Sequence, residues 1–190
     1  NEWAWNFGGD SPGLALELAT EALRIAEARH YPAGEATAHK RMGQMQRKMG
    51  NSIPSLIAYQ NALLGFQQTG NQREEAIVLG CMASIFLDQE EFPLARRYFH
   101  QALQLNLVIG EMTNAVQQYN GLGIAHEFEE RIDSAFYYYK MAANTATLID
   151  DDEDRTAGLA RAWNNLGSLF KVQHLPDSAA TYWTKSRNAF

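Results

Sequence analysis

One cysteine, Cys81, stands among 190 residues, so no intrachain disulfide can form and no cysteine-rich zinc site can be built from this chain. A single thiol leaves cytosol and periplasm equally open as compartments. Long apolar runs are missing too. Nothing approaches the roughly 18 uninterrupted residues of a spanning helix, and the start, Asn1-Glu2-Trp3-Ala4-Trp5, has neither the basic nor the apolar region of a signal peptide. The segment is read as soluble, without membrane contact of its own. An initiator Met is also missing, and Ser186-Arg187-Asn188-Ala189-Phe190 ends in a helical pattern without a cap, as expected of a piece of a longer protein.

Basic residues are the minority, 16 against 22 acidic, for a net charge of −6. Phosphate neutralisation needs a basic surface, so general nucleic-acid binding by this segment is excluded, although a local basic patch is not. Catalytic patterns are absent: no glycine loop that cradles phosphate, no nucleophile elbow and no acid/base pair, so no enzyme is expected. The five histidines lack i, i+4 pairing, and "HEFEE" at 126–130 has no second His, so neither metal nor cofactor is expected. The acidic run 150–154 fails as a calcium loop, because Arg155 and Arg161 occupy the positions that need Gly and Glu. It reads as a solvated loop.

What is present is ordinary globular composition, 46% hydrophobic and 20% charged, arranged with a period. Aligning "HKRMGQMQ", "LGCMASIF", "YNGLGIAH" and "WNNLGSLF" puts Gly43, Ala83, Gly123 and Gly167 in register; a second register runs through Ala22, Ala62, Ala102, Ala142 and Ser186. Both step by 40 residues and finally by 44, the acidic run accounting for the four extra. Apolar spacing within a period is helical, as in Leu79, Met82, Ala83 and Phe86 followed by Ala95, Phe99 and Ala102, so each period is a helix pair. Small residues let the two backbones approach, and stacked pairs bury a core that no single pair could.

The spacing predicts an aromatic lead-in over 1–11, an unpaired second-type helix over 12–33 and repeats over 34–72, 73–112, 113–152 and 153–190. Asp10 or Ser11 is the expected N-cap of the unpaired helix. Trp3, Trp5 and Phe7 are expected to cap the exposed end of the array.

Trp163-x-x-Leu166-Gly167-x-x-Phe170, followed by Ala179-x-x-x-Trp183, resembles the tetratricopeptide repeat pattern, and the other three periods match it more loosely. The period of 40 rather than 34 is similar to that of arrays in kinesin light chains and bacterial signalling regulators. The resemblance implies an all-α, right-handed α-solenoid of antiparallel helix pairs, about nine helices, whose concave groove is lined by first helices and holds a peptide or partner segment.

A helical wheel puts Trp163, Leu166, Gly167 and Phe170 on the packed side, leaving Arg161, Asn165, Ser168 and Val172 opposite. Shifting by the repeat adds Gln117, Gly121, Ile124 and Phe128; Ile77, Cys81, Ser84 and Asp88; and Thr37, Arg41, Gln44 and Lys48. Lys40, Arg47, Leu87, Asn120, Glu127, Asn164 and Lys171 flank these ribbons. The named face carries six cations against two carboxylates in an acidic chain, with an apolar middle. It suits a protein or peptide segment that is acidic with an apolar centre. Cys81 is read as a small packing residue on that side rather than a nucleophile. Lys40 matches the family's carboxylate clamp in kind, but Cys81, Gln117 and Gly121 stand where other clamp residues belong, so a chaperone-tail clamp is not expected. In related arrays an asparagine just before the Leu-Gly pair grips an extended peptide backbone through its amide; Asn165 matches it, with Asn164 and Asn120 as weaker candidates. The first reading is therefore a protein-interaction module. The second is a sensor or dimerisation segment of a bacterial histidine kinase or transcription regulator whose output domain lies elsewhere.

Overall fold

The structure, a computed structural model, describes residues 11–189. Asp10 and the aromatic lead-in Trp3, Trp5 and Phe7 lie outside the described residues. Among the described residues there are nine α-helices and no strand: α1 (Pro12–Ala28), α2 (Pro32–Lys48), α3 (Ser52–Thr69), α4 (Gln72–Asp88), α5 (Phe92–Ile109), α6 (Met112–Phe128), α7 (Ile132–Ala146), α8 (Asp152–Val172) and α9 (Pro176–Arg187). No helix among them is long and apolar enough to cross a membrane. Two compact units form, one ending at Ile85 and the next beginning at Phe86, so the division falls within α4.

Helix starts follow local chemistry. Ser11 caps α1, its hydroxyl accepting from the Leu14 N–H at 3.4 Å. Proline occupies one of the first two positions of α1, α2, α5 and α9, where its missing N–H breaks no intrahelical bond. The acidic run has a structural role: Asp151 caps α8 by accepting from the Asp154 N–H at 2.9 Å, and Arg155 donates to the Ile149 carbonyl at 2.9 Å and pairs with Asp152.

Helix ends share one device. Residues 30, 50, 70, 90, 110, 130 and 174 all have positive φ, the first six spaced by twenty residues. The N–H of the following residue bonds back across the turn, as from Asn51 to the Gln46 carbonyl, Glu91 to Phe86 and Arg131 to His126, each at 2.9 Å. This is the Schellman closure that satisfies the last helical carbonyls. His30, Glu90, Glu130 and His174 make it with a side chain, at φ between 51° and 61°. Left-handed backbone costs a residue with a Cβ about 1–2 kcal/mol, part of which glycine forfeits in chain entropy. Glu90→Gly and Glu130→Gly are each expected to raise the unfolding free energy by about 0.5–1 kcal/mol, read as a higher urea midpoint at unchanged slope.

In the first unit α1 packs on α2 and α2 on α3. Gly43 lies directly under the Tyr59 ring, and the buried Ser55 hydroxyl donates to the Gly43 carbonyl at 2.7 Å. In the second unit α5 to α9 pack in sequence, and α6 also lies beside α8. Ala135, Tyr139, Leu166 and Leu169 form a core flanked by Ile124, Ile132, Phe136, Trp163 and Tyr182. Gly123 sits under Tyr139 and Gly167 under Trp183, so the small residue of each first helix receives the large one of its partner. Ala62, Ala102 and Ala142 have no exposed surface.

Candidate partner-binding faces

Each unit presents its own first-helix face. In the first unit α2 exposes Thr37, Arg47 and Lys48, with Arg41 and Gln44 half-buried and joined by a 3.0 Å bond from the Arg41 guanidinium to the Gln44 amide oxygen. Ile77, Cys81 and Ser84 of α4 are half-buried, and the Ser84 hydroxyl donates to the carbonyl of Gly80 at 3.0 Å. Cys81 shares a hydrogen bond with the buried Tyr59 hydroxyl, and burial pushes its thiol above the usual range. That disfavours the reactive thiolate.

Lys40 corrects the expectation of an open cation. It is buried, and its ammonium is paired with Glu74 in the first turn of α4. Burial costs a charge heavily unless a partner compensates it, and Glu74 is that partner.

In the second unit α6 and α8 lie side by side, and one hydrogen-bond chain joins them. The Asn165 amide donates to Asn120 Oδ1 at 2.9 Å, and Asn120 Nδ2 donates to the Val116 carbonyl at 3.0 Å. Asn120 is 3% exposed, which corrects its assignment to an open flank; Asn165 is half-buried beside it. A primary amide has two donors and two acceptor lone pairs, and the bond to Asn120 uses one donor of Asn165. Around this pair Gln117, Arg161, Asn164, Lys171 and Val172 are exposed, while Ile124 and Ser168 are half-buried. Phe128 is 66% exposed yet stacks on Phe92 with centroids 5.7 Å apart. Gly121 is not open: a Cβ there would meet the Phe99 ring. Glu127, counted as a groove charge, accepts from the Tyr139 hydroxyl at 2.6 Å.

Lys40, Gly80 and Asn120 share a register and are all buried; Asn164, in the same register on α8, is exposed. In this register Lys40 faces Glu74 of α4, and Asn120 faces Asn165 of α8. The sequence signal was available: Lys40 lies four residues after Ala36 and three before Gly43, on the packed stripe of α2.

Elsewhere in this unit His126 is buried and stacks on Tyr138 with centroids 5.2 Å apart, and His100 Nε2 lies 3.4 Å from the Tyr138 hydroxyl. Burial first, then the nearby Arg96, holds both histidines below their usual pKa. Among the described residues no three His, Cys, Asp or Glu side chains gather where they could hold a metal. A cleft of about 260 Å³ opens between α7 and α8, lined by Ile132, Asp133, Phe136, Leu169, Phe170 and Gln173.

No protein-family model matches the chain. Over 96 residues, half of its length, it is 27% identical to the chloroplastic tetratricopeptide repeat domain-containing protein PYG7 of Arabidopsis thaliana; the match covers 28% of that protein, so the chain spans little more than a quarter of this relative. Among solved structures, BtubC (BKLC) of P. vanneervenii superposes with a TM-score of 0.74 at 16% identity, over 99% of this chain and 85% of that one. A kinesin light chain candidate of Podosopora anserina with nearly identical TPR-like repeats gives 0.76 at 11%, over 99% and 92%. The STAND signal-transduction ATPase PH0952 of Pyrococcus horikoshii, which has a tetratricopeptide repeat sensor, gives 0.77 at 18%, over 94% of this chain and 28% of that one. These likenesses show the fold: the chain is an all-α array of tetratricopeptide-type helix pairs.

Proposed function

We propose that the chain is a protein-interaction module, built as a partial repeat over 12–33 and four repeats over 34–72, 73–112, 113–152 and 153–190, and that the α6–α8 face takes an extended segment of a partner. The observation that carries this reading is the Asn165–Asn120 bond. Asn120 holds the Asn165 amide in one orientation, so its remaining donor and acceptors meet a ligand already ordered, which lowers the entropic cost of binding. A backbone amide of the partner supplies the matching groups. Val172 and Ile124 offer apolar contact, and the exposed Arg161 and Lys171 favour a carboxylate near the apolar centre. In the first unit Arg41, Arg47 and Lys48 form a second basic face of the same chemistry. The role is binding rather than catalysis.

Asn165→Ala is expected to weaken a verified peptide partner by about tenfold, the scale of one hydrogen bond of about 1.4 kcal/mol, by fluorescence anisotropy. Asn164→Ala, on the exposed neighbouring position, is expected to change affinity less than twofold. Equal affinity for Asn165→Ala and the parent chain would remove the face as the site, provided that both unfold at the same temperature.

A further inference from the structure

Three repeats stack two rings at the same place. Phe86 of α4 lies on Tyr98 of α5, His126 of α6 on Tyr138 of α7 and Phe170 of α8 on Tyr182 of α9, with centroids 5.2, 5.2 and 5.4 Å apart and planes within 16°. The two rings are twelve residues apart each time. His126 thus holds a place that two other repeats give to phenylalanine, and the remaining repeat has Gln46 and Ala58 there. Of the three first-helix rings, that of His126 is the one that can gain a proton.

Its surroundings suit the neutral ring. His126 is 8% exposed, and its Nδ1 is buried without a hydrogen-bond partner among the described residues. With the proton of the neutral ring on Nε2, Nδ1 is a bare acceptor. In the imidazolium both nitrogens are donors, so Nδ1 would become a buried donor with no acceptor, in a group whose charge is costly to bury. The charged neighbours do not offset this. Arg96 and His100 face the ring from α5, Glu129 and Arg131 from the turn after α6, and Tyr138 from α7. Glu129, the carboxylate among them, is engaged by Arg96 and lies 3.8 Å from Arg131. Tyr138 also meets the exposed His100 edge-on, with centroids 5.9 Å apart, so a proton there would add like charge beside the same ring.

We propose that His126 is an acid-sensitive joint of the second unit: a proton on its ring breaks the stack on Tyr138 and loosens α6 from α5 and α7. The direction follows from linkage. Burial first, then Arg96, holds the ring in the folded chain below its ordinary pKa of 6.5, so the unfolded chain takes the proton first. The neutral stack stabilises the fold fully above that value, and its contribution is lost as pH falls from there through the folded-state pKa. His126→Phe reproduces the ring pairs of Phe86 and Phe170 and has no proton to gain.

Urea unfolding followed by circular dichroism at about pH 7.5 and about pH 5.5, on either side of the ordinary histidine range, tests this. The unfolding equilibrium constant is expected to rise severalfold more on acidification in the parent chain than in His126→Phe, since the other titrating groups are common to both. His100→Gln is expected to keep most of the parent response. Equal responses in the parent chain and His126→Phe overturn the proposal. So does a response that His100→Gln removes, because His100 would then be the sensor. Proton NMR titration of the His126 Cε1–H in the parent chain decides the matter however the variants fold: a midpoint below 6.5 is expected, and one at or above 6.5 overturns the proposal.

Discussion

Alanine at Gly123 is expected to lower the unfolding free energy by about 2–3 kcal/mol, the upper part of the roughly 1–3 kcal/mol range for overpacking a filled core. A Cβ built there lies 2.5 Å from Tyr139 Cδ1 and 3.0 Å from Cζ, well inside van der Waals contact. Relief would require the ring or the helix to move. The ring is pinned: Tyr139 is buried among Ala135, Leu166 and Leu169, and its hydroxyl donates to Glu127 Oε2 at 2.6 Å. Burial and the Glu127 carboxylate both push the Tyr139 phenol far above its usual pKa, so it stays a donor at all ordinary pH. The expense therefore falls on the α6–α7 separation. Urea denaturation should show a lower midpoint for Gly123→Ala, while Gly13→Ala, whose Cβ would meet nothing within 4 Å, should show no loss. Combining Gly123→Ala with Tyr139→Leu should cost less than the two single changes together, because the smaller side chain removes the clash. An additive result would mean that the close approach at Gly123 is not what the glycine serves.

That approach is legible in the sequence, and the reason is periodicity. Two series of small residues at a common step have few explanations other than helix crossings, and Ala62, Ala102 and Ala142 prove fully buried, whereas Ser186 is half-buried and Ala22, on the unpaired α1, is exposed. The turns were less legible. Gly50, Gly70 and Gly110 announce left-handed backbone, but Glu90 and Glu130 adopt the same φ without a glycine to mark them, because the closing hydrogen bond holds them there. The faces were the hardest part. A wheel drawn on α8 treats one helix alone, and among the described residues no later first helix lies beside α8. The flank that is open at Asn164 is closed one and three repeats earlier, by α8 against Asn120 and by α4 against Lys40. A wheel reports direction from an axis, whereas burial depends on what occupies that direction. Only contacts between repeats distinguish Asn165, which is half-buried and retains one donor and its acceptors, from Asn120, which orients it.

Lys40 separates a structural charge from a recognition charge. Its side chain is 9% exposed and that of Glu74 27%, so removing one partner strands the other in a poorly solvated place. Lys40→Ala is expected to destabilise by about 2 kcal/mol, below the 3–5 kcal/mol of a fully buried pair because Glu74 keeps some access to water. Lys40→Glu should cost more, since two carboxylates would then share the site. Removing both charges in the double substitution Lys40→Met/Glu74→Leu should restore most of the stability, because well-packed apolar groups often replace a buried pair without loss. Thermal unfolding of the three variants measures the sequence of effects. The double variant then decides the role in recognition: a ligand that binds it as tightly as the parent chain makes Lys40 a brace between α2 and α4. A stable double variant with weakened binding would return Lys40 to the face that the wheel assigned it. The brace predicts the first result, because an ammonium enclosed by its own carboxylate has little of its field left for a partner's.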